Sequence, residues 1–219
     1  MVPYRQGRAA ADDAFKLSSN ENPFEPLESV LEAIAESSIN RYPEGSAAAL
    51  RDRLGARYGV SPERIQVGAG SVSVLSQIIS AASAAGDEIV YSWRSFEAYP
   101  LLVATAGATS VQVPNTADHR HDLPAMLAAI TDRTRLVIVC SPNNPTGRLI
   151  PIHLLRTIAQ RCQQVGAYLV LDECFLDFTS GESMISYMDQ HPNLLILRAF
   201  TKMYAMAGLR LGYLLSAHQ

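Results

Sequence analysis

An alternation constrains this chain more than any other feature. Short apolar, β-branched runs stand at residues 65–67, 88–91, 110–113, 136–140, 168–171, 194–197 and 211–215. Helical patterns fill most of the gaps, at 72–85, 96–106, 123–130, 152–165 and 183–190. Strands alternating with helices predict a mostly parallel sheet covered on both faces. The runs at 136–140 (LVIVC) and 168–172 (YLVLD) are apolar at nearly every position, as strands buried on both faces are. The expected fold is therefore α/β, a three-layer αβα arrangement around about seven strands. The direction of the last two strands relative to each other stays open, because the segment between them shows no helical pattern. Ahead of the first run, Leu27, Val30, Leu31 and Ile34 predict a helix over 26–37, and Ser46 reads as the N-cap of a second helix that ends at Gly59.

With 219 residues, 48% of them hydrophobic, the chain can bury a substantial core. A net charge of -3 offers no bulk attraction for nucleic acid or an anionic membrane. No apolar run approaches the roughly 18–20 residues of a membrane span, and residues 1–15 lack the apolar stretch of a secretory signal. A cytoplasmic location is expected. Cys140, Cys162 and Cys174 match no zinc or CxxC spacing and adjoin apolar segments. They read as buried free thiols in a reducing compartment, with no metal site. His119 and His121, in a polar loop, read as solvated.

In open α/β sheets ligands sit beyond the carboxyl ends of the strands. The residues to inspect are thus 68–71 (GAGS), 141–147 (SPNNPTG), Asp172-Glu173 and Thr201-Lys202. Gly70 and Ser71 lead from a strand into a helix, where free N–H groups and a hydroxyl suit a phosphate, or simply make a tight turn with a cap. Their setting is not GxGxxG, GxxxxGK[ST] or GxSxG, which argues against dinucleotide, Walker-type and serine-hydrolase sites. Asp172 ends a buried strand, where an ionised carboxylate needs a cation or strong donors. A protonated pyridine nitrogen is one such partner; a structural capping role is the plainer alternative. Only Lys16 and Lys202 are lysines, all other basic residues being arginine. Lys202 follows a strand, and an amine there can condense with an aldehyde unless it is merely a solvated loop lysine. Arg210 could hold a phosphate and lower the pKa of that amine.

These residues carry a resemblance. The stretches 141–147 (SPNNPTG), Asp172-Glu173 and 201–213 (TKMYAMAGLRLGY) stand in the order and spacing of fold-type I aminotransferases. SSNENPF (18–24) and NRYPEG (40–45) resemble the histidinol-phosphate aminotransferase subfamily, which includes aromatic amino acid aminotransferases and threonine-phosphate decarboxylases. The resemblance covers essentially the whole chain and implies pyridoxal 5'-phosphate (PLP) as cofactor. It makes Lys202 the Schiff-base amine and the proton carrier, and Asp172 the partner of the pyridinium nitrogen. Asn144 would bond the ring's phenolic oxygen and Phe96, in WRSFEAY, would stack on the ring. Gly70, Ser71, Thr201 and Arg210 would hold the phosphate. Tyr42 would reach the cofactor phosphate of a second copy, implying a homodimer with shared sites. Asn20 and Glu21 would lie near the substrate's side chain. Trp93 and Tyr99 read as packing residues.

Two departures stand out. Phe175 occupies a place where the family commonly has tyrosine, and losing that donor to the phenolic oxygen should raise the Schiff-base pKa. The chain ends at Gln219, where family members continue into a small C-terminal domain carrying the arginine that binds the substrate's α-carboxylate. The expected layout is an N-terminal arm (1–24) and a PLP-binding large domain (25–219), with the small C-terminal domain absent. The implied activity moves an amino group from histidinol phosphate or an aromatic amino acid to a 2-oxo acid, in amino-acid (histidine) biosynthesis. Residues 172–178 (DECFLDF) and 201–213 look closer to the threonine-phosphate decarboxylase branch, whereas 91–99 (YSWRSFEAY) look closer to the aromatic aminotransferases. Decarboxylation of a phosphorylated amino acid is thus the nearest alternative. A PLP-binding fragment without turnover is another, and a nicotinamide dehydrogenase is disfavoured by the missing glycine fingerprint.

Overall fold

A computed structural model describes residues 11, 13–14 and 16–217. Its strands are β1 (Ile65–Ala69), β2 (Glu88–Trp93), β3 (Thr109–Pro114), β4 (Thr134–Cys140), β5 (Tyr168–Asp172), β6 (Leu194–Ala199) and β7 (Leu211–Ser216). The α-helices are α1 (Glu28–Ala35), α2 (Ala48–Tyr58), α3 (Gly70–Ala82), α4 (Tyr99–Thr105), α5 (Leu123–Ala129) and α6 (Ile152–Gln164). One seven-stranded sheet has the order β1-β7-β6-β5-β4-β2-β3.

Strands β2 to β6 pair in parallel, each after a crossover. The last strand, β7, slots between β1 and β6 and is antiparallel to both. That settles the direction left open by sequence: parallel neighbours need a long crossover, usually helical, and the segment before β7 has only one short 3₁₀ turn, Ala207–Leu209.

Alternation along β4 builds the layers. Leu136 and Ile138 point into a core with Val74, Leu75, Ile78 and Ile79 of α3 and Val103 of α4. Val137 and Val139 point the other way, against Leu155, Ile158 and Cys162 of α6. Each such side chain, fully buried, contributes about 1.5–3 kcal/mol. All three cysteines are buried and free. Among the described residues no helix is long and apolar enough to cross a membrane, and no group of three or more His, Cys, Asp or Glu is placed to hold a metal ion.

Several local expectations are corrected. The N-cap of α2 is Ala47, in a left-handed conformation, rather than Ser46. Glu44 does the capping: its carboxylate accepts from the amides of Ser46 and Ala48, both at 2.8 Å, and the Ser46 hydroxyl together with these amides holds its pKa down at about 2. The helical pattern at 183–190 takes the form of a 3₁₀ helix, Met184–Gln190. The helix expected from residue 96 begins only at Tyr99. His121 is not solvated but buried, with neither ring nitrogen hydrogen-bonded, and burial pushes its pKa down to about 4. Of the expected arm, residues 16–24 contain no helix or strand, while 1–10, 12 and 15 lie outside the described residues.

Candidate active site

The antiparallel insertion of β7 concentrates the candidate residues on one sheet edge. The ends of β1 and β6 flank the start of β7, with Ala69 opposite Leu211 and Ala199 opposite Gly212. One strand further, Leu197 faces Asp172, and Asp172 faces Cys140. Residues that follow β1, β4 and β6, precede β7 or close β5 are therefore neighbours.

Gly70 opens the 13-residue helix α3 with a φ of 81°, in the region open to glycine. A side chain there would collide with the guanidinium of Arg210. Gly212 in turn lies against the backbone of Gly70 and Ser71, so that a Cβ would overlap it. Two glycines thus bring a helix N-terminus and an arginine into contact, a combination suited to a phosphate. Thr201 is half-buried beside Lys202, and Arg210 is exposed.

Asp172 is buried. Its Oδ2 accepts a 2.8 Å hydrogen bond from the Tyr99 hydroxyl, and its Oδ1 accepts from the Cys174 amide at 3.1 Å. Among the described residues no cationic side chain forms an ion pair with it. A buried carboxylate held by two neutral donors has the environment to receive a protonated ring nitrogen. Tyr99, read as packing, is buried and also bonds the candidate acid, a contact the sequence did not signal. Fully buried, it stands edge-on to Phe96 with 5.6 Å between ring centroids, so one residue links the expected stacking ring to the expected acid.

Lys202 Nζ donates to the carbonyls of Ser19 (2.9 Å) and Asn20 (3.2 Å). Ser19 and Asn20 both adopt left-handed backbone angles, which turn these carbonyls toward the amine. Desolvation lowers the pKa of Lys202; Arg210 acts in the same direction, while Cys174, Glu21 and Asp172 oppose it. The Phe175 ring centroid lies 5.5 Å from Nζ. Asn20 also donates to Asn144 Oδ1 at 3.2 Å, and Asn22 to the carbonyls of Lys202 and Met203. The arm is thereby tied to the lysine, and Asn20 to the loop after β4. Glu21 ion-pairs with Lys16 at 2.6 Å.

Next to Asp172, Glu173 is buried and accepts from Arg198 at 3.1 Å, from Ser183 and from the Met184 amide. Burial pushes its carboxyl pKa up. Arg198, also buried, bonds Asp177 as well. Removing one partner of such a buried network typically costs about 3–5 kcal/mol, so this network fixes the segment that presents Cys174 and Phe175.

A cavity of about 1130 Å³ adjoins the lysine through Asn20, Asn144, Phe175 and Met203. Phe24, Phe178, Phe200 and Tyr204 supply most of its aromatic wall, and Glu21 and Glu25 its charge. Lys202, Asp172 and Arg210 lie outside this lining, so the cavity is the space beside the cluster rather than within it. Tyr42 is fully exposed and is not brought to the cluster within this chain.

The edge therefore offers an amine, a buried carboxylate, a nearby aromatic ring, and a guanidinium at a helix N-terminus. This donor set fits a planar nitrogen heterocycle that carries an aldehyde and a phosphate, the chemistry of PLP.

The comparisons agree with this chemistry. A family model described as aminotransferase class I and II matches residues 12–219. The aromatic amino acid aminotransferase of Cutibacterium acnes is 45% identical over 218 residues, which cover 97% of this chain and 62% of that protein. The enzyme of the same name from Mycolicibacterium smegmatis is 47% identical over 206 residues, covering 91% of this chain and 56% of the relative. Among solved structures, histidinol-phosphate aminotransferase from Sinorhizobium meliloti in complex with pyridoxal-5'-phosphate aligns with a TM-score of 0.84 at 32% identity, over 90% of this chain and 55% of that one. The chain spans less than two thirds of the length of each of these relatives.

Proposed function

From the premise that this chain belongs to the class I and II aminotransferases, we propose that it carries the PLP site of an aminotransferase acting on aromatic amino acids, with a 2-oxo acid as acceptor. The observation that carries the substrate side is the cavity beside Lys202. Its described lining includes four phenylalanines and a tyrosine but no lysine, arginine or histidine. An aromatic side chain would gain about 25 cal/mol per Å² buried against those rings. The phosphate of histidinol phosphate would instead meet Glu21 and Glu25 with no basic residue in the described lining, the one cation paired there, Lys16, being engaged by Glu21. The same objection applies to decarboxylation of a phosphorylated amino acid. The names of the Cutibacterium and Mycolicibacterium relatives support the aromatic reading.

The bound cofactor would supply an aldehyde that captures an amine and a ring that spreads the electron pair left when a proton departs from the substrate α-carbon. The chain's own residues would do the rest. Asp172, oriented by Tyr99, would hold a proton on the ring nitrogen. Gly70, Ser71, Thr201 and Arg210 would bind the phosphate, Asn144 would bond the phenolic oxygen and Phe96 would cover one ring face. Desolvation favours the neutral form of Lys202 Nζ, the form that attacks an aldehyde and that takes and returns the α-proton. Asn20 and Glu21, at the cavity, would lie beside the substrate's side chain. The reading includes a homodimer, for which full exposure of Tyr42 leaves that ring available to a second copy.

Borohydride reduction in the presence of PLP, followed by peptide mass mapping, tests the cofactor site. A pyridoxyl adduct is expected at Lys202, and a folded chain with Lys202 unmodified would reject it. Product analysis with phenylalanine, tyrosine, tryptophan and histidinol phosphate tests the substrate. The aromatic donors should yield 2-oxo acids, whereas a preference for histidinol phosphate, or release of carbon dioxide, would overturn the assignment.

A further inference from the structure

Asn143 has no role in the chemistry above, yet its side chain is almost wholly buried at 2% exposure and uses its bonding capacity at both ends. Its Oδ1 accepts from Ser95 Oγ at 2.7 Å. Its Nδ2 donates to the Arg94 carbonyl at 3.1 Å and to Thr146 Oγ1 at 3.0 Å. Its backbone amide donates to the Arg148 carbonyl at 2.9 Å, and its carbonyl accepts from the Gly147 amide at 2.6 Å. The bonds to residues 146–148 hold the loop after β4 in its own shape. The bonds to Arg94 and Ser95 fasten that loop to the segment after β2.

The sequence positions of these bonds matter. Asn144 follows Asn143 directly, and Phe96 follows Ser95 directly. The residue assigned to the ring's phenolic oxygen thus adjoins Asn143 itself, and the residue assigned to its face adjoins Ser95, to which Asn143 is bonded. Asn115, after β3, donates to the same Arg94 carbonyl at 2.8 Å and accepts from Ser92. The segment is therefore braced from the β3 side as well, but of these two asparagines only Asn143 is continuous with the loop that carries Asn144.

We propose that Asn143 is a positioning residue that sets Phe96 and Asn144 in register with each other, so that the two walls of the cofactor site are preorganised before the cofactor arrives. This rests on the reading that the edge binds PLP. The neutral amide suits the task because it offers two donors and an acceptor without a charge to desolvate. Aspartate, similar in shape, would set its carboxylate against the Arg94 carbonyl.

Trp93 provides a reporter that needs no cofactor, being the sole tryptophan of the chain and next to Arg94, whose guanidinium lies 4.7 Å from its ring centroid. The experiment measures acrylamide quenching of Trp93 in the apo chain, together with PLP affinity and induced circular dichroism, for wild type, Asn143→Ala, Asn143→Asp and Ser95→Ala. Asn143→Ala, which removes all three side-chain hydrogen bonds, should raise the quenching constant about 2-fold, weaken PLP about 10-fold and change the induced circular dichroism. Asn143→Asp should move in the same direction, and Ser95→Ala likewise but about 3-fold or less in affinity. Wild-type quenching and wild-type cofactor spectra, even with a lowered melting temperature, would reduce Asn143 to a structural role and overturn the proposal. Should Asn143→Ala fail to fold, Ser95→Ala decides alone, and no change in either readout overturns it. Absence of PLP binding in the wild type would sink the functional reading instead, while Trp93 quenching would still decide whether Asn143 fastens the segment.

Discussion

The hydroxyl of Tyr99 donates to Oδ2 of Asp172 at 2.8 Å, with both groups buried and the two residues 73 positions apart in the chain. This bond joins the helix after β2 to the tip of β5 and gives the buried carboxylate one of its two observed donors. Tyr99→Phe keeps the ring packing and removes only that donor, leaving Oδ2 unsatisfied. The variant should lose about 1–3 kcal/mol of stability in urea unfolding and turn over aromatic donors about 10-fold more slowly. Wild-type stability and rate together would show that the bond contributes nothing to the site.

A Cβ added at Gly212, in β7, would overlap the backbone of Gly70 and Ser71 at the start of α3. In Gly212→Ala the new Cβ meets backbone, which cannot rotate away, so the first turn of α3 must shift. PLP affinity should fall about 10-fold or more, accompanied by a loss of about 1–3 kcal/mol in stability. Gly45→Ala, with nothing within 4 Å of the added carbon, is the matched control and should change neither. Equal affinities for the two variants would remove the helix N-terminus from the phosphate site.

Burial holds the His121 pKa at about 4 in the folded chain, against 6.5 as the ordinary value. The unfolded chain therefore binds the extra proton between those two values, so the stability present above pH 6.5 is lost as the pH falls toward 4. The loss from this group is on the order of 3 kcal/mol. His191, also lowered by burial, acts in the same direction. Urea unfolding at several pH values should show a shallower acid dependence for His121→Leu than for wild type. Parallel curves would exclude His121 as a source of the slope.

Phe175 lies within 5.5 Å of Lys202 Nζ and has no hydroxyl to offer the cofactor's phenolic oxygen. In Phe175→Tyr an added donor would stabilise the deprotonated form of the lysine-bound cofactor. The midpoint of its visible absorbance titration should drop by roughly one pH unit, the equivalent of one hydrogen bond. Identical midpoints would reject the role given to this position.

Much of the fold was legible because strand burial writes itself into local periodicity. Residues 136–140 and 168–171 are apolar at nearly every position, since both faces of β4 and β5 are covered. The rule that sites lie beyond strand ends makes Asp172 and Lys202 candidates from the chain alone. What the pattern could not report was which residues meet. Nothing in WRSFEAY distinguishes a packed tyrosine from one bonded to Asp172, and a polar loop around His119 gave no hint that His121 turns inward. Ser46 has the residue type of a cap, but the amides at the start of α2 bond the carboxylate of Glu44 instead.

By itself, the sequence determined the set of strands, their layered burial and the residue types at the sheet's carboxyl edge. The tertiary structure alone decided that β7 runs antiparallel between β1 and β6, that Gly212 admits the start of α3, that Tyr99 bonds Asp172 and that Asn143 bonds Ser95. The reason is physical. Periodicity records how each segment faces solvent or core, a one-dimensional property, whereas hydrogen-bond partners and close approaches depend on which distant segments the sheet order makes adjacent.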